Sequence, residues 1–187
     1  MEKKGTKNVE GDEIETYLQA LNQEVQKRST IKKPVRLAIV GGVYMMNFVH
    51  NRSSTKDIDI VPLDFPDTMH PDEETKAFQT AIRAVARAYH IKQNWMNDVV
   101  AAFIPKLGEP ITLWKEYSHL QVYAPPLDYI LALKLLAGRE KDAEDIEALC
   151  SMLAIETCEQ AQVVVDRYAD KRWQQECNLQ ATLEDLF

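Results

Sequence analysis

Between Ile39 and Val61 the chain carries Ile39-Val40-Gly41-Gly42 and then Arg52-Ser53-Ser54-Thr55-Lys56-Asp57-Ile58-Asp59-Ile60-Val61. On an extended segment alternate side chains point the same way, so Asp57 and Asp59 share one face and Ile58 and Ile60 the other. Two carboxylates about 7 Å apart along a strand repel each other unless a cation lies between them. Such a pair, backed by an apolar face, suits Mg²⁺ or Mn²⁺. Mg²⁺ takes hard oxygen ligands from one or two carboxylates together with substrate phosphates. The alternative is a strand end whose polar face meets water, and Asp-x-Asp alone is short and common. The glycines upstream shift the balance. An apolar run ending in Gly41-Gly42 and leading into a helix brings backbone N–H groups and a helix N-terminus to one point, a natural phosphate site. A plain tight turn would use the same two residues. Gly-Gly, Arg-Ser-Ser-Thr and Asp-Ile-Asp-Ile in this order are more specific than any one of them.

Working outward, Val35, Leu37, Ile39 and Val40 read as a buried strand, and Val43 to His50 as a short helix. Upstream, Ile14, Tyr17, Leu18, Leu21 and Val25 recur at helical spacing from Asp12 to about Gln26, and Lys32-Lys33-Pro34 breaks the pattern. Residues 1–10 read as a polar, disordered tail. Downstream, Asp57 to Val61 is the second strand, and Pro62, Pro66 and Pro71 punctuate a loop. Ala77, Phe78, Ala81, Ile82, Val85 and Tyr89 give the clearest helix, Glu73 to about Ile91, with Asp72 as its cap. Asn97 or Asp98 is placed to cap a short helix through Phe103. Ile111 to Tyr117 and Leu120 to Tyr123 read as a strand hairpin. Pro125-Pro126 opens a helix from Leu127 to Ala137 that Gly138 ends. Helices follow from Asp142 to about Ala154 and from Glu159 onward. The expectation is α+β: a mixed sheet flanked by helices over 11–125, and a helical C-terminal portion over 126–187.

Composition fits an ordinary globular chain. The 187 residues are 45% hydrophobic, 27% charged and 8% aromatic, which argues against wholesale disorder, collagen-like repeats and a coiled-coil rod. Apolar runs are short and broken by charge, so no span of a membrane is expected. The opening residues lack the apolar core of a signal peptide. With 22 basic against 29 acidic side chains the net charge is −7, which disfavours general nucleic-acid binding through bulk charge. The basic clusters Lys27, Arg28, Lys32, Lys33, Arg36 and Lys171, Arg172 read as solvated faces. Cys150, Cys158 and Cys177 have no framework spacing and read as reduced thiols of a cytoplasmic protein, not as zinc ligands. His50, His70, His90 and His119 form no close ligand pair. Trp95, Trp114 and Trp173 read as packing residues. Ser53 and Ser54 can touch phosphate, but no sequence-local partner would make either a nucleophile.

A second block is Leu133-Lys134-Leu135-Leu136-Ala137, followed by Lys141-Asp142-Ala143-Glu144-Asp145-Ile146. Ile130, Leu131, Leu133, Leu135 and Leu136 surround Lys134 on nearly every side, which implies burial. A buried ammonium is costly unless it meets an anion, here a carboxylate or a nucleotide phosphate. Otherwise its tip snorkels to water. Asp142 and Asp145 face one side of a helix. They can complete an acidic site, pair with Lys134, or favour a helix N-terminus electrostatically.

The two blocks together resemble the DNA polymerase β-like nucleotidyltransferase superfamily, and within it the small bacterial AbiEii-type proteins. The resemblance rests on Gly41-Gly42, on Arg52 and Thr55 before Asp57-Ile58-Asp59, and on the Lys134 and Asp142–Asp145 segments, over roughly residues 35 to 150. It implies a nucleotidyltransferase-like fold and transfer of a nucleoside monophosphate from an NTP to a hydroxyl on an RNA end, a protein or a small molecule. It implies Asp57 and Asp59 as metal ligands for Mg²⁺ or Mn²⁺, and Gly41, Gly42, Arg52, Ser53 and Lys134 around the nucleotide. Asp145 would be the third acid; Glu116 and Asp98 are weaker candidates for that place. Some relatives of this type are toxins of toxin–antitoxin pairs, so an antitoxin-like partner belongs to the same expectation. A nucleotide- or RNA-binding module that kept the fold and lost turnover is the alternative.

Overall fold

The computed structural model describes residues 9–64, 71–108 and 110–187. In chain order the elements are β1 (Val9–Glu10), α1 (Gly11–Gln26), β2 (Val35–Val40), α2 (Gly41–Tyr44), β3 (Ser54–Thr55), β4 (Ile58–Pro62), α3 (Glu73–Tyr89), β5 (Met96–Asn97), β6 (Thr112–Glu116), β7 (Leu120–Ala124), α4 (Leu127–Ala137), α5 (Ala143–Leu153), α6 (Cys158–Asp166), α7 (Lys171–Glu176) and α8 (Leu179–Leu186). A π-helical turn over Met45–Val49 continues α2, and 3₁₀ turns cover Val99–Phe103 and Glu140–Asp142. The class is α+β, as expected. The chain divides into two compact units, one running to Phe103 and including Thr112–Ala124, the other made of Ile104–Ile111 and Pro125–Phe187.

The first unit is built on a five-stranded mixed sheet in the order β5-β4-β2-β7-β6. Its centre is β2, whose Leu37, Ala38 and Ile39 are fully buried. A strand covered on both faces reads as a continuous apolar run, and residues 37–40 form one. β2 runs parallel to β7, with Val35 opposite Leu120, and antiparallel to β4, with Val40 opposite Asp59 and Leu37 opposite Pro62. β5 lies parallel to β4 at the sheet edge, with Asn97 opposite Asp59. β6 and β7 form the expected antiparallel hairpin. α3 buries Phe78, Ala81, Ile82, Val85 and Ala86, each large apolar side chain contributing about 1.5–3 kcal/mol. The Asp72 carboxylate accepts the Thr75 N–H at 2.7 Å and caps this helix as its sequence predicts. Trp95, also in this core, donates its indole N–H to the Ile82 carbonyl at 3.0 Å.

The disordered tail expected over residues 1–10 falls on residues 1–8 outside the described residues, while Val9 and Glu10 instead pair with Thr55 and Ser54 as β1 against β3. His70 and Pro66 also lie outside the described residues. The short helix expected from Val43 begins two residues earlier, at Gly41.

The second unit is helical. α4 is apolar on most sides and buries Tyr129, Ile130, Leu131, Ala132, Leu135 and Leu136, together with Lys134. Gly138, at φ +54°, closes α4 with its N–H on the Lys134 carbonyl at 3.1 Å. Thr157 caps α6 through Gln160 N–H, and Asp170 caps α7 through Trp173 N–H at 2.8 Å. Ile104–Ile111 joins this unit although it precedes the hairpin, which departs from the sequence boundary at residue 126. One reason is visible: the Tyr129 hydroxyl donates to the Pro105 carbonyl at 2.6 Å. Among the described residues no helix is long and apolar enough to cross a membrane.

Five residues of the basic clusters sit in ion pairs. Lys27 and Arg28 reach Glu24 at 2.6 and 3.0 Å, and Arg36 reaches Asp64 at 3.1 Å. Lys171 reaches Asp166 at 2.6 Å, and Arg172 reaches Glu176 at 2.9 Å.

Candidate functional site

Part of the first block meets at the end of β2, Gly41 with Asp59 and Gly42 with Thr55. Gly41 has φ +63°, in the left-handed region that glycine adopts without strain. A Cβ built on it would lie 2.6 Å from Asp59 Oδ2. A Cβ on Gly42 would fall on the Thr55 hydroxyl and 2.8 Å from Thr55 Cβ. The two glycines therefore leave room for the side chains of β3 and β4 to close over the start of the helix. The antiparallel register that sets Val40 against Asp59 produces this approach.

Asp59 is half-buried, between the fully buried Ile58 and the buried Ile60. Its Oδ1 accepts from Asn97 Nδ2 at 3.3 Å across the β4–β5 pair. Asn97 Oδ1 in turn accepts the Val99 N–H at 3.3 Å, so this residue does cap the turn that follows it. Asp57 stands at the bend just before β4, not on its first strand position as the sequence suggested. Its side chain is half-exposed, and Thr55 Oγ1 donates to its backbone carbonyl at 3.2 Å. Arg52 is half-exposed and Ser53 exposed in the lead-in, before the two residues of β3. Among the described residues no group of three His, Cys, Asp or Glu side chains is arranged to hold a metal ion. The carboxylate that lies over Gly41 is that of Asp59, and Asp57 stands two residues before it. Carboxylate oxygen is the ligand type Mg²⁺ or Mn²⁺ takes alongside phosphate oxygens and water.

The second block lies in the helical unit. Lys134 is 8% exposed, and its ammonium meets Asp142 Oδ1 at 3.0 Å and Asp145 Oδ2 at 2.5 Å. Of the anions the sequence allowed for a buried Lys134, the structure supplies carboxylates. Asp145 is 1% exposed and Asp142 is 6% exposed, so the cluster is a buried tie between α4 and the start of α5. Glu116 is exposed and accepts from Gln121 at 2.9 Å; Asp98 is half-exposed beside Asn97.

His50 and His90 sit at the ends of helical segments with φ +59° and +54°. All three cysteines are free thiols, Cys150 buried and the others half-buried. Trp114 meets Phe48 edge-on at 5.6 Å, and Phe48 stacks on Tyr44 at 4.8 Å, so an aromatic group follows the glycines on the π-helical turn.

The sequence missed Asn97 as a neighbour of Asp59. The signal available was its place in Trp95-Met96-Asn97-Asp98, but a pair of strand residues has no periodicity of its own to reveal a register. No family model, curated protein or solved structure matches the chain.

Proposed function

We propose that the chain is a metal-dependent nucleotidyltransferase on a nucleotidyltransferase-like sheet, with its site at Gly41, Gly42, Asp57 and Asp59. The observation that carries the reading is the Asp59 carboxylate lying in the space that Gly41 leaves by having no side chain. Asp57 and Asp59 would hold Mg²⁺ or Mn²⁺. Gly41 and Gly42 admit the side chains of Asp59 and Thr55 over the start of α2, and phosphate oxygens would approach beside them. Arg52 and Ser53 supply charge and a hydroxyl to the phosphates. A bound divalent ion supplies charge neutralisation on the triphosphate. The acceptor hydroxyl gives up its proton to solvent as its oxygen bonds to the α-phosphorus, the bond from the α-phosphorus to the α–β bridging oxygen breaks, and pyrophosphate leaves. In this reading Lys134 and Asp145 serve the helical unit's own ion cluster. Their transfer to the nucleotide, which the family resemblance implies, has no support in their partners.

The second reading is a nucleotide- or RNA-binding module without turnover. Two observations favour it: the residue opposite Asp59 on β5 is the neutral Asn97, and Asp145 is engaged by Lys134.

Labelled NTPs with Mg²⁺ or Mn²⁺, offered RNA ends, protein and small-molecule hydroxyls, test both. Incorporation that falls at least a hundredfold in Asp57→Asn and Asp59→Asn supports the transferase. Binding of metal–nucleotide without incorporation supports the module. A chain that binds neither metal–nucleotide nor RNA overturns both. The acceptor that is labelled would also decide whether a toxin-like role with an antitoxin-like partner is worth pursuing.

A further inference from the structure

We infer that Asn97 is a positioning residue for Asp59, and that its neutral amide keeps this pocket from holding a divalent cation unaided. The inference rests on the proposed site and deepens it. Neighbouring strands lie about 4.8 Å apart, and Asn97 stands directly opposite Asp59 in the parallel β4–β5 pair. The amide is held at both ends. Its Oδ1 takes the Val99 N–H and its Nδ2 donates to Asp59 Oδ1, each at 3.3 Å. The Val99 contact fixes which way round the amide lies, so the face turned to Asp59 is a donor and cannot ligate a cation. It restrains Asp59 Oδ1, and Oδ2 is the oxygen lying over Gly41.

Charge supplies the second half. Among the described residues no third acid, histidine or cysteine completes a metal-holding group here. Two carboxylates from the chain leave most of the coordination shell to water and to a polyphosphate, the usual situation for Mg²⁺. A cation would then enter with the phosphates.

Asn97→Asp is the decisive substitution. It is nearly isosteric, keeps an oxygen for the Val99 N–H, and replaces the donor facing Asp59 with a second carboxylate. Like charges directly opposite on paired strands destabilise the pair, and a cation between them relieves it. Thermal unfolding and Mn²⁺ binding by electron paramagnetic resonance are the readouts, with Mn²⁺ alone and with Mn²⁺ plus a non-hydrolysable triphosphate analogue. In the wild type, Mn²⁺ alone should leave the midpoint unchanged, and the analogue should be required for a shift. In Asn97→Asp the metal-free midpoint should fall. Mn²⁺ alone should restore it, with affinity at least tenfold above wild type. Asn97→Ala, which loses the donor without adding charge, should bind the Mn²⁺–analogue pair several-fold more weakly and gain nothing toward Mn²⁺ alone.

An unchanged Mn²⁺ response in Asn97→Asp, or wild-type binding of Mn²⁺ alone as tight as with the analogue, would overturn the inference. Should Asn97→Asp fail to fold in Mn²⁺ and in its absence, Asn97→Ala decides: unchanged affinity for the pair overturns the positioning role. If the wild type ignores the Mn²⁺–analogue pair while Asn97→Asp gains Mn²⁺ binding that Asp59→Asn abolishes, the nucleotide reading falls and the role of Asn97 stands.

Discussion

Asp59 Oδ2 and the α-carbon of Gly41 are packed so closely that a methyl group on the glycine would lie 2.6 Å from the oxygen. Gly41 also holds φ +63°. Gly41→Ala therefore meets two penalties, backbone strain and displacement of the carboxylate. A loss of about 1–3 kcal/mol of stability is expected, measured by urea unfolding. Binding of a metal–triphosphate complex should fall with it by more than tenfold. A variant of full stability and full binding would show that the contact is incidental.

Lys134→Met should be the most damaging single change in the helical unit. It leaves the buried Asp142 and Asp145 without the ammonium that lies 3.0 and 2.5 Å from them. Removing one partner of a buried ion cluster costs about 3–5 kcal/mol, whereas replacing the whole cluster by uncharged groups can be nearly neutral. The combination Lys134→Met, Asp142→Asn, Asp145→Leu should thus regain most of the lost stability. If it also retains nucleotide binding, the cluster is structural; loss of binding in a fully folded triple variant would return Lys134 to the nucleotide site.

Glu15 is expected to make the sheet unit sensitive to acid. The Lys115 ammonium, 2.7 Å from Glu15, holds that carboxyl below its ordinary value of 4.5, helped by hydrogen bonds from the Tyr117 hydroxyl and the Gln19 amide. Burial of Glu15 opposes them. A carboxyl depressed in the folded state contributes stability that is fully present above the unfolded value and lost as pH falls through the folded one. Glu15→Gln should therefore be less stable than wild type near neutrality. The pair is more than a third exposed, so the deficit should be under about 1 kcal/mol. The two unfolding midpoints should converge below pH 4.5. Parallel midpoints across the acid range would remove Glu15 from the account.

Cys150 should be the slow thiol. Burial pushes its pKa up, and the thiolate is the reactive form. Mass spectrometry after iodoacetamide treatment at pH 8 should show Cys150 unlabelled in the native chain under conditions that label it fully in urea.

Much of this architecture can be read from the chain itself, and the exceptions have a common cause. α3, its Asp72 cap and the Gly138 stop of α4 are local events, written in spacing and in single residues. The β6–β7 hairpin is legible because its strands are adjacent in sequence. β1, β3 and β5 are pairs of residues with no periodicity, recruited by partners 38 to 46 positions away, as with Val9 and Thr55 or Asp59 and Asn97. The candidate site divides along the same line. Gly41, Gly42, Asp57 and Asp59 announce themselves by residue type and order, while Asn97 is known only through its register. Burial of Lys134 follows from its apolar neighbours, but nothing local decides between a carboxylate and a phosphate as its partner.

The excursion of Ile104–Ile111 into the helical unit has a practical corollary for synthesis and for dissection. A growing polypeptide delivers that piece early, then makes Thr112–Ala124 before the helices that it joins emerge. A truncation beginning at Pro125, the obvious place to cut, would strip the buried Tyr129 hydroxyl of its Pro105 acceptor, at a cost of about 1–3 kcal/mol. Isolating the helices intact calls instead for excising the hairpin and splicing Ile111 to Pro125, so that one uninterrupted strand of peptide carries both the early piece and the late one.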